Sequence, residues 1–222
     1  MNKSQIKTAF RDTIPVMTGY LVLGMGFGIV MKVNGFSSLV AILMSAAIYA
    51  GSMQYAGVGL LTGGASFVTT ALTTLAINAR HLFYGISMVD KYKNVGARKP
   101  YMIFALTDET YSLVCDGKHD RDYCFFVSLF DHIYWVSGTV FGCILGGAIR
   151  FDTTGIDFSL TALFITVFVD QWLSTRDHTP ALIGVGLSAA CLFLFGADSF
   201  LIPAMASIAA ALLLRMRKEK KA

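Results

Sequence analysis

The chain has 222 residues, of which 55% are hydrophobic and only 14% charged, and its mean hydropathy is +0.62. A water-soluble domain could not bury so much apolar surface, so the composition argues against a soluble enzyme or binding module. The formal charge of +4 is concentrated at the two ends and in one loop. Such clusters are typical of membrane topology signals, so we expect a protein of the lipid bilayer with no nucleic-acid partner.

Apolar windows follow one another along the whole chain. At about 25 residues for a span and its turn, the length allows about seven to eight transmembrane helices and no sizeable soluble domain. The windows cover residues 13–32, 36–60, 64–89, 101–115, 123–148, 158–174, 180–196 and 199–214. The sequence therefore predicts an all-α, polytopic integral membrane protein that forms a single transmembrane domain over residues 1–222.

Basic residues at both ends of the chain predict its orientation. The short basic termini, residues 1–12 and 215–222, should both lie in the cytoplasm, which requires an even number of membrane crossings. Eight complete spans would nevertheless place the basic loop 91–99 outside the cell. We therefore expect at least one broken or re-entrant segment early in the chain, and the sequence leaves open which segment that is.

The second window carries several polar residues. If the window is one continuous helix, Tyr49, Ser52 and Tyr55 share a stripe at spacings of three. Ser45 extends this stripe by one turn, and Gln54 lies on the neighbouring face. Polar groups in lipid must face protein or water. Ser52, Gln54 and Tyr55 are therefore predicted either to bond neighbouring helices or to line a substrate cavity.

The third window contains a polar interruption near its middle, with Asn78, Arg80, His81 and Tyr84. A cation in the middle of a membrane helix costs about 3 kcal/mol unless a partner compensates it. Broken helices with polar breaks form the substrate sites of many secondary transporters. The alternative is that the helix ends early and the Arg80 side chain reaches the membrane surface.

The fourth window is short and carries two adjacent acids, Asp108 and Glu109. Burial of an acid favours its protonated form, so these residues are candidates for exchanging protons during transport. Arg80 is a plausible partner for either acid, and simple neutralisation of Arg80 is the structural alternative. Two further acids, Asp131 and Asp170, lie in later apolar windows and are expected near the membrane interface.

Signs of catalysis are absent from the sequence. No Ser-His-Asp, HExxH or Walker pattern is present, and the four cysteines and the histidines lack the spacing of metal ligands. We therefore predict no enzymatic activity, no cofactor and no metal site.

Several short segments, in order along the chain, carry a resemblance to a known family. They are Asp12-x-x-Pro15, Phe27-Gly28, Tyr49-Ala50-Gly51-Ser52-x-Gln54, Arg80-His81 with Tyr84-Gly85, Leu106-Thr107-Asp108-Glu109 and Gly138-Thr139-Val140-Phe141-Gly142. In these segments the sequence resembles the AzlC family, the large subunit of two-component branched-chain amino acid exporters.

The resemblance implies efflux of leucine, isoleucine, valine and methionine across the cytoplasmic membrane, driven by an ion gradient. It also implies a small AzlD-type membrane subunit as partner. On this interpretation Arg80 attracts the substrate carboxylate, while Asp108 or Glu109 binds the ammonium group and exchanges protons. The full predicted site is Ser52, Gln54, Tyr55, Asn78, Arg80, His81, Tyr84, Asp108 and Glu109.

Two other kinds of function stay open at this point. The chain could be a membrane scaffold or assembly subunit that transports nothing, in which case its polar groups only hold helices together. It could also be a channel or a transporter for another small zwitterionic solute. Saturable, gradient-dependent transport would separate these from the exporter.

Overall fold

The computed structural model describes residues 3–78, 80–93, 95–115, 120–148, 165, 168–169, 172–173, 175–196 and 200–219. Within these residues all regular secondary structure is helical, which confirms the predicted all-α class. The chain divides into two compact units, Met1–Leu160 and Thr161–Ala222, which are described separately.

The first unit contains α1 (Lys3–Asp12), α2 (Ile14–Val33), α3 (Ser38–Ala47), α4 (Gly51–Thr62), α5 (Phe67–Asn78), α6 (Arg80–Met88), a 3-10 turn (Gly96–Arg98), α7 (Lys99–Phe104), α8 (Asp108–Val114) and α9 (Arg121–Ala148). The second unit contains α10 (Thr179–Phe195) and α11 (Leu201–Glu219), which pack against each other. Among the described residues, α2 and α9 are the helices long and apolar enough to cross a membrane. The number of seven to eight spans is not confirmed and stays a prediction.

Helices α2 and α9 form the centre of the first unit because glycines let their backbones approach closely. A Cβ atom on Gly24 would lie 2.6 Å from the carbonyl oxygen of Trp135, and one on Gly138 would lie 2.7 Å from that of Leu21. Real Cβ atoms do not come so near to backbone atoms. The spacing of small residues at intervals of four, typical of close helix pairs in membranes, thus fixes this crossing.

The two central helices run parallel. Gly24 lies against Gly138, and four residues later Gly28 lies against Gly142. Because the residue numbers rise together along both helices, the carboxyl-terminal ends of α2 and α9 point to the same face of the unit. Between the end of α2 and the start of α9, the chain must therefore cross from one face to the other an odd number of times.

The second apolar window, residues 36–60, does not form one long helix. Ser37 caps α3 by accepting a hydrogen bond from the Val40 N–H at 3.3 Å. α3 then ends, and α4 begins at Gly51. Between the two helices Tyr49 has a φ of +47°, a conformation that non-glycine residues rarely adopt. The stripe predicted for Tyr49, Ser52 and Tyr55 is therefore wrong for Tyr49, which lies in the interruption.

Helices α3 and α4 form an antiparallel hairpin, which we call hairpin A (residues 38–62). The Gln54 side chain donates a hydrogen bond to the Ser45 hydroxyl at 3.1 Å. Farther from the tip, Ala41 and Val58 belong to one buried cluster. The pair Ser45–Gln54 is closer to the turn at Tyr49 along both helices than the pair Ala41–Val58 is. The chain therefore enters and leaves hairpin A at the same face.

Helices α7 and α8 form a second, shorter hairpin, which we call hairpin B (residues 99–114). Thr107 caps α8 by accepting a hydrogen bond from the Thr110 N–H at 3.3 Å, so the turn lies just before it. Met102 of α7 and Val114 of α8 are both fully buried in one cluster. The fourth apolar window therefore also turns back on itself.

The two hairpins enter from opposite faces. Hairpin A packs beside Met31, near the end of α2. Hairpin B packs beside Ala9 of α1 and Tyr123 near the start of α9. We call this second side the amino-terminal face. Since α2 and α9 are parallel, these are opposite ends of the unit, and the hairpin tips meet between them.

The segment from α5 to α6 connects the two faces. It starts after hairpin A and ends at Met88, which is buried beside Tyr92 and Met102 at the amino-terminal face. The interruption predicted from Asn78, Arg80 and His81 falls where α5 ends at Asn78 and α6 begins at Arg80, and residue 79 between them lies outside the described residues. One pass between two hairpins satisfies the odd number that the parallel central helices require. The second and fourth windows are thus each broken into a hairpin, and the re-entrant course of such a segment in the membrane stays a prediction.

Candidate functional site at the hairpin tips

The tips of hairpins A and B meet against the crossing of α2 and α9, and we call this place the junction. The Tyr49 ring lies 6.1 Å from the Phe104 ring and 4.4 Å from the His132 ring, measured between centroids. Tyr20 of α2 lies 5.5 Å from Trp135 of α9 in the same way. Aromatic rings therefore surround the turns of both hairpins.

Hairpin A is held by a closed hydrogen-bond network. Gln54 is fully buried; its amide donates to Ser45 and accepts from the Trp135 indole N–H at 2.9 Å. The Ser45 and Thr139 hydroxyls are 2.7 Å apart. The sequence had suggested that Ser45 and Gln54 lie on one helix. They lie instead on opposite arms of the hairpin. Both polar ends of the Gln54 side chain bond protein groups.

Tyr55 and Ser52 also sit within hairpin A. The Tyr55 hydroxyl donates to the carbonyl oxygen of Leu23 at 2.7 Å, which ties α4 to α2. Gly26 leaves the room for this ring, since a Cβ atom there would lie 2.5 Å from the Tyr55 oxygen. Ser52 is buried in the first turn of α4. In this conformation the predicted residues of the second window therefore serve helix packing next to the junction.

Hairpin B brings acidic groups to the junction. The Tyr20 hydroxyl lies 2.6 Å from the Glu109 carboxylate and 2.7 Å from the Thr107 hydroxyl. Thr107 donates to the hydroxyl of Thr110 at 3.0 Å, and Thr110 donates to Asp131 of α9 at 2.8 Å. A line of hydroxyl contacts thus runs from Glu109 through Tyr20, Thr107 and Thr110 to Asp131, and Tyr20, which has a single proton, donates to only one of its two neighbours.

Asp131 is completely buried beside the junction, and its position near the membrane interface stays a prediction. One carboxylate oxygen, Oδ2, accepts from Thr110, and Oδ1 is buried without a hydrogen bond from any described residue. The Tyr49 hydroxyl is also buried and unpaired in the part of the chain that the structure describes. Polar atoms left unpaired in this way cost free energy, and they mark a place for a ligand or water.

The predicted residues of the third window lie toward hairpin B. His81 Nδ1 is 3.2 Å from the Asn78 carbonyl oxygen. His81 also lines a cavity of about 350 Å³ that extends along α7 from Lys99 to Leu106. The side chains of Arg80 and Tyr84 lie outside the described parts of the structure, and so does the predicted pairing of Arg80 with Asp108 or Glu109.

The two adjacent acids have different surroundings. Both are half-buried in the first turn of α8. Glu109 contacts Tyr20 and so belongs to the junction. The structure thereby brings Glu109 together with Gln54 and Tyr55 around the α2–α9 crossing. Asn78 and His81 lie on the neighbouring segment.

Tyr20, Tyr49, Thr110 and Asp131 are residues of the junction that the predicted site did not contain. Asp131 had a signal, because an acid in an apolar window needs a reason to be there. Tyr20 and Thr110 had no such signal in the sequence, since single hydroxyl groups are common in membrane helices. Tyr49 stood in a segment that resembles the family, and only its φ shows that it forms a turn.

Comparison with known proteins shows the family. The profile of the family described as "AzlC protein" matches residues 15–149. The chain is 44% identical to the "Branched-chain amino acid transport protein AzlC" of Bacillus subtilis (strain 168), in an alignment that covers 100% of this chain and 91% of the relative.

Two further relatives carry the name "Uncharacterized membrane protein". One, from Haemophilus influenzae, is 40% identical over 96% of this chain and 89% of its own length. The other, from Helicobacter pylori (strain ATCC 700392 / 26695), is 39% identical over 94% of this chain and 93% of its own length. No solved structure matches the chain significantly. With a matching family profile and a relative aligned over its whole length, the chain belongs to the AzlC family.

Proposed function

We propose that this protein is the large subunit of a secondary active transporter that exports leucine, isoleucine, valine and methionine from the cell in exchange for protons. The observation that carries the proposal is the 44% identity, along the whole chain, with a protein named for branched-chain amino acid transport. The two opposed hairpins support it, because secondary transporters bind substrates where interrupted helices meet near the middle of the membrane. A transporter of this kind performs no enzymatic reaction.

The junction offers groups for both charges of a free amino acid. Glu109 lies there with its carboxylate bonded to Tyr20, and it suits the substrate ammonium group better than Asp108 does. Arg80 is proposed to attract the substrate carboxylate, and the positive end of the α4 dipole, which begins at Gly51 beside Trp135, would add to that attraction. Tyr84, Asn78 and His81 would complete the site from the neighbouring segment.

An apolar cleft accompanies these polar groups. The cavity along α7 is lined mainly by apolar atoms, including those of Met88, Ile103 and Leu106. Its volume of about 350 Å³ exceeds that of a branched aliphatic side chain. We propose that the substrate side chain occupies the end of this cleft near Leu106, next to the turn of hairpin B.

The geometry of the hairpins supports a proposal of alternating access. In this proposal hairpin A closes the path to one face and hairpin B closes the path to the other. Movement of one hairpin at a time would expose the junction to one side only. Proton uptake by Asp108 or Glu109 would release the ammonium group and so couple the proton gradient to export.

We also propose the orientation and the partner. Basic residues of the first unit gather at the amino-terminal face, on α1, in the loop after α6 and at the start of α7, whereas Lys32 ends α2 on the other side. The positive-inside rule then places the amino-terminal face in the cytoplasm, with the carboxyl terminus there as well. The partner would be a small AzlD-type membrane subunit, as the family resemblance implies.

Export of preloaded radiolabelled leucine from proteoliposomes that contain the chain and its small partner tests the proposal. Wild type should show saturable efflux that depends on a proton gradient. Glu109→Gln, Asp108→Asn and Arg80→Ala should each reduce efflux by about 10-fold or more, the loss expected for one hydrogen bond to a charged group. Asp90→Asn, which changes an exposed acid paired with Lys93, is the matched control.

The outcomes separate the parts of the proposal. If wild type moves none of the four amino acids, the assigned substrates are wrong. If efflux is normal but insensitive to protons, the coupling is wrong. If the three variants transport like the control, the site is wrong although the transport function stands.

A further inference from the structure

Two buried polar atoms at the junction lack a partner and lie on elements that meet there. One is the Tyr49 hydroxyl in the turn of hairpin A, and the other is Oδ1 of Asp131 on α9. The side chain of Asp131 is fully buried and that of Tyr49 is 4% exposed. The nearby Tyr20 hydroxyl gives its proton to Glu109, so the Tyr49 oxygen accepts no hydrogen bond from Tyr20 and stays available as an acceptor. Such an arrangement is unfavourable unless a ligand completes it.

The junction also has an excess of negative groups. Glu109 reaches the junction through its contact with Tyr20, and Asp131 is fully buried beside the junction. The described ion pairs use Asp90, Asp122 and Asp177, and no described basic side chain pairs with Glu109 or Asp131. A buried acid with a half-buried acid nearby calls for a positive ligand or a shared proton.

We propose that Asp131 and Tyr49, together with Glu109, bind the ammonium group of the transported amino acid; the inference rests on the proposed function and specifies its site. A primary ammonium group has three N–H donors. Asp131 Oδ1, the Tyr49 hydroxyl oxygen and the Glu109 carboxylate provide three acceptors. Thr110 acts as a positioning residue, because its hydrogen bond to Oδ2 turns Oδ1 of Asp131 away from itself.

The proposal gives substrate binding a mechanical consequence. Tyr49 belongs to hairpin A, Glu109 to hairpin B, and Asp131 to the central helix α9. An ammonium group bound to all three would link both hairpin tips to the rigid centre of the unit. Loss of that link would allow one hairpin to move without the other.

Ligand competition on the purified complex of the chain with its small partner tests this site. The probes are leucine, 3-methylbutylamine, which lacks the carboxylate, and 4-methylpentanoate, which lacks the ammonium group. Asp131→Asn should lower the binding affinity for leucine and for 3-methylbutylamine by about 10- to 100-fold, as expected for lost hydrogen bonds to a charged group. Binding of 4-methylpentanoate should be unchanged, and Asp90→Asn should bind all three probes like wild type.

Tyr49→Phe keeps the test informative if Asp131→Asn folds poorly. Because the Tyr49 hydroxyl is unpaired in the empty protein, its removal should leave the melting temperature unchanged or raised. The same variant should lower the binding affinity for 3-methylbutylamine by about 3- to 10-fold, which is the loss expected for one neutral hydrogen bond. If Tyr49 served only packing, Tyr49→Phe would not lower the affinity for the amine while leaving the stability of the protein unchanged.

The contrary results distinguish failure of the ammonium site from failure of the proposed function. Unchanged amine affinity in folded Asp131→Asn and Tyr49→Phe overturns the site, and so does an equal loss of all three probes. A requirement for sodium that disappears in Asp131→Asn, with amine binding intact, would assign the acids to an inorganic cation and overturn the site as well. If wild type transports no amino acid but binds 3-methylbutylamine through Asp131, the ammonium site stands and the proposed function fails.

Discussion

Hairpins A and B share a shape but differ in the chemistry of their tips. In hairpin A the polar groups of Ser45 and Gln54 bond each other and the α9 residues Thr139 and Trp135. At hairpin B, Glu109 is held by one hydroxyl, and the neighbouring Asp131 has an unpaired oxygen. A closed polar network rigidifies the element that contains it, whereas an open one leaves capacity for a ligand.

The difference suggests a division of labour. Hairpin A, with its arms bonded to each other and to α9, forms a fixed wall. Hairpin B, which is shorter and carries the acids, is the better candidate for the moving gate. Tyr49 is the exception among the polar groups of hairpin A, since its hydroxyl is unpaired and belongs to the proposed ammonium site. The following predictions test whether the hairpins have these shapes and these roles.

The largest expected effect is an all-or-none difference in access from the two sides of the membrane. In a background without the exposed Cys115, the single variants are Lys93→Cys, in the loop after α6, and Ser66→Cys, in the loop after α4. The two hairpins place these loops on opposite faces. A membrane-impermeant maleimide should therefore label the first variant from the cytoplasmic side and the second from the outside. Labelling of both from one side would contradict the opposed hairpins.

The next largest effect should come from Gly138→Ala, which disturbs the frame that both hairpins share. The new Cβ would lie 2.7 Å from the Leu21 carbonyl oxygen, and the backbone of α2 cannot yield as a flexible side chain would. We expect a loss of about 3 kcal/mol in the free energy of unfolding, measured by denaturation in detergent.

Gly19→Ala is the matched control for that change. Gly19 lies on α2, and a Cβ atom there would meet no other atom within 4 Å. It should leave stability unchanged or slightly improved, because alanine favours the helix. Equal stability of the two variants would show that the α2–α9 crossing is not as close as described.

Gln54→Leu should reveal the difference between the hairpins directly. Removal of the amide leaves the buried Trp135 N–H without its acceptor, which should cost about 2 kcal/mol of unfolding free energy. Glu109→Gln in hairpin B keeps a polar group beside Tyr20 and should cost under about 1 kcal/mol while reducing transport. If Glu109→Gln destabilises the protein more than Gln54→Leu does, the assigned roles are reversed.

Much of this architecture could be predicted from the sequence, for reasons tied to particular residues. Glycines at intervals of four, such as Gly24 with Gly28, form a pattern typical of close helix pairs in membranes, because small residues permit such contact. The conflict between the basic loop 91–99 and eight complete spans indicated a re-entrant segment. Asp108 and Glu109 indicated the polar end of hairpin B.

The position of the turns was harder to predict. Hydropathy does not distinguish an apolar helix that crosses the membrane from two shorter ones that return to the same face. The turn at Tyr49 contains no glycine or proline between Ala47 and Ala50, and tertiary packing holds its positive φ. The contacts of Asp131 with Thr110 depend on a hairpin that the sequence did not reveal.

The smallest expected effect concerns the base of hairpin B. Arg98 donates to Asp122 at 2.6 Å and lies over the Phe125 ring, 4.6 Å from its centroid. The Arg98 and Asp122 side chains are 40% and 30% exposed, so water and salt screen the pair. Arg98→Met should therefore cost less than about 1 kcal/mol in unfolding free energy, and high salt should reduce the difference from wild type.

Lys93→Met is the comparison for that variant, since its pair with Asp90 is still more exposed and should contribute nothing measurable. A weak attachment at Arg98 is what a moving hairpin requires, because a strong buried ion pair would hold its base to α9. If Arg98→Met proved as costly as Gln54→Leu, both hairpins would be equally fixed. The gate would then have to lie elsewhere, with the segment from α5 to α6 as the remaining element that connects the two faces.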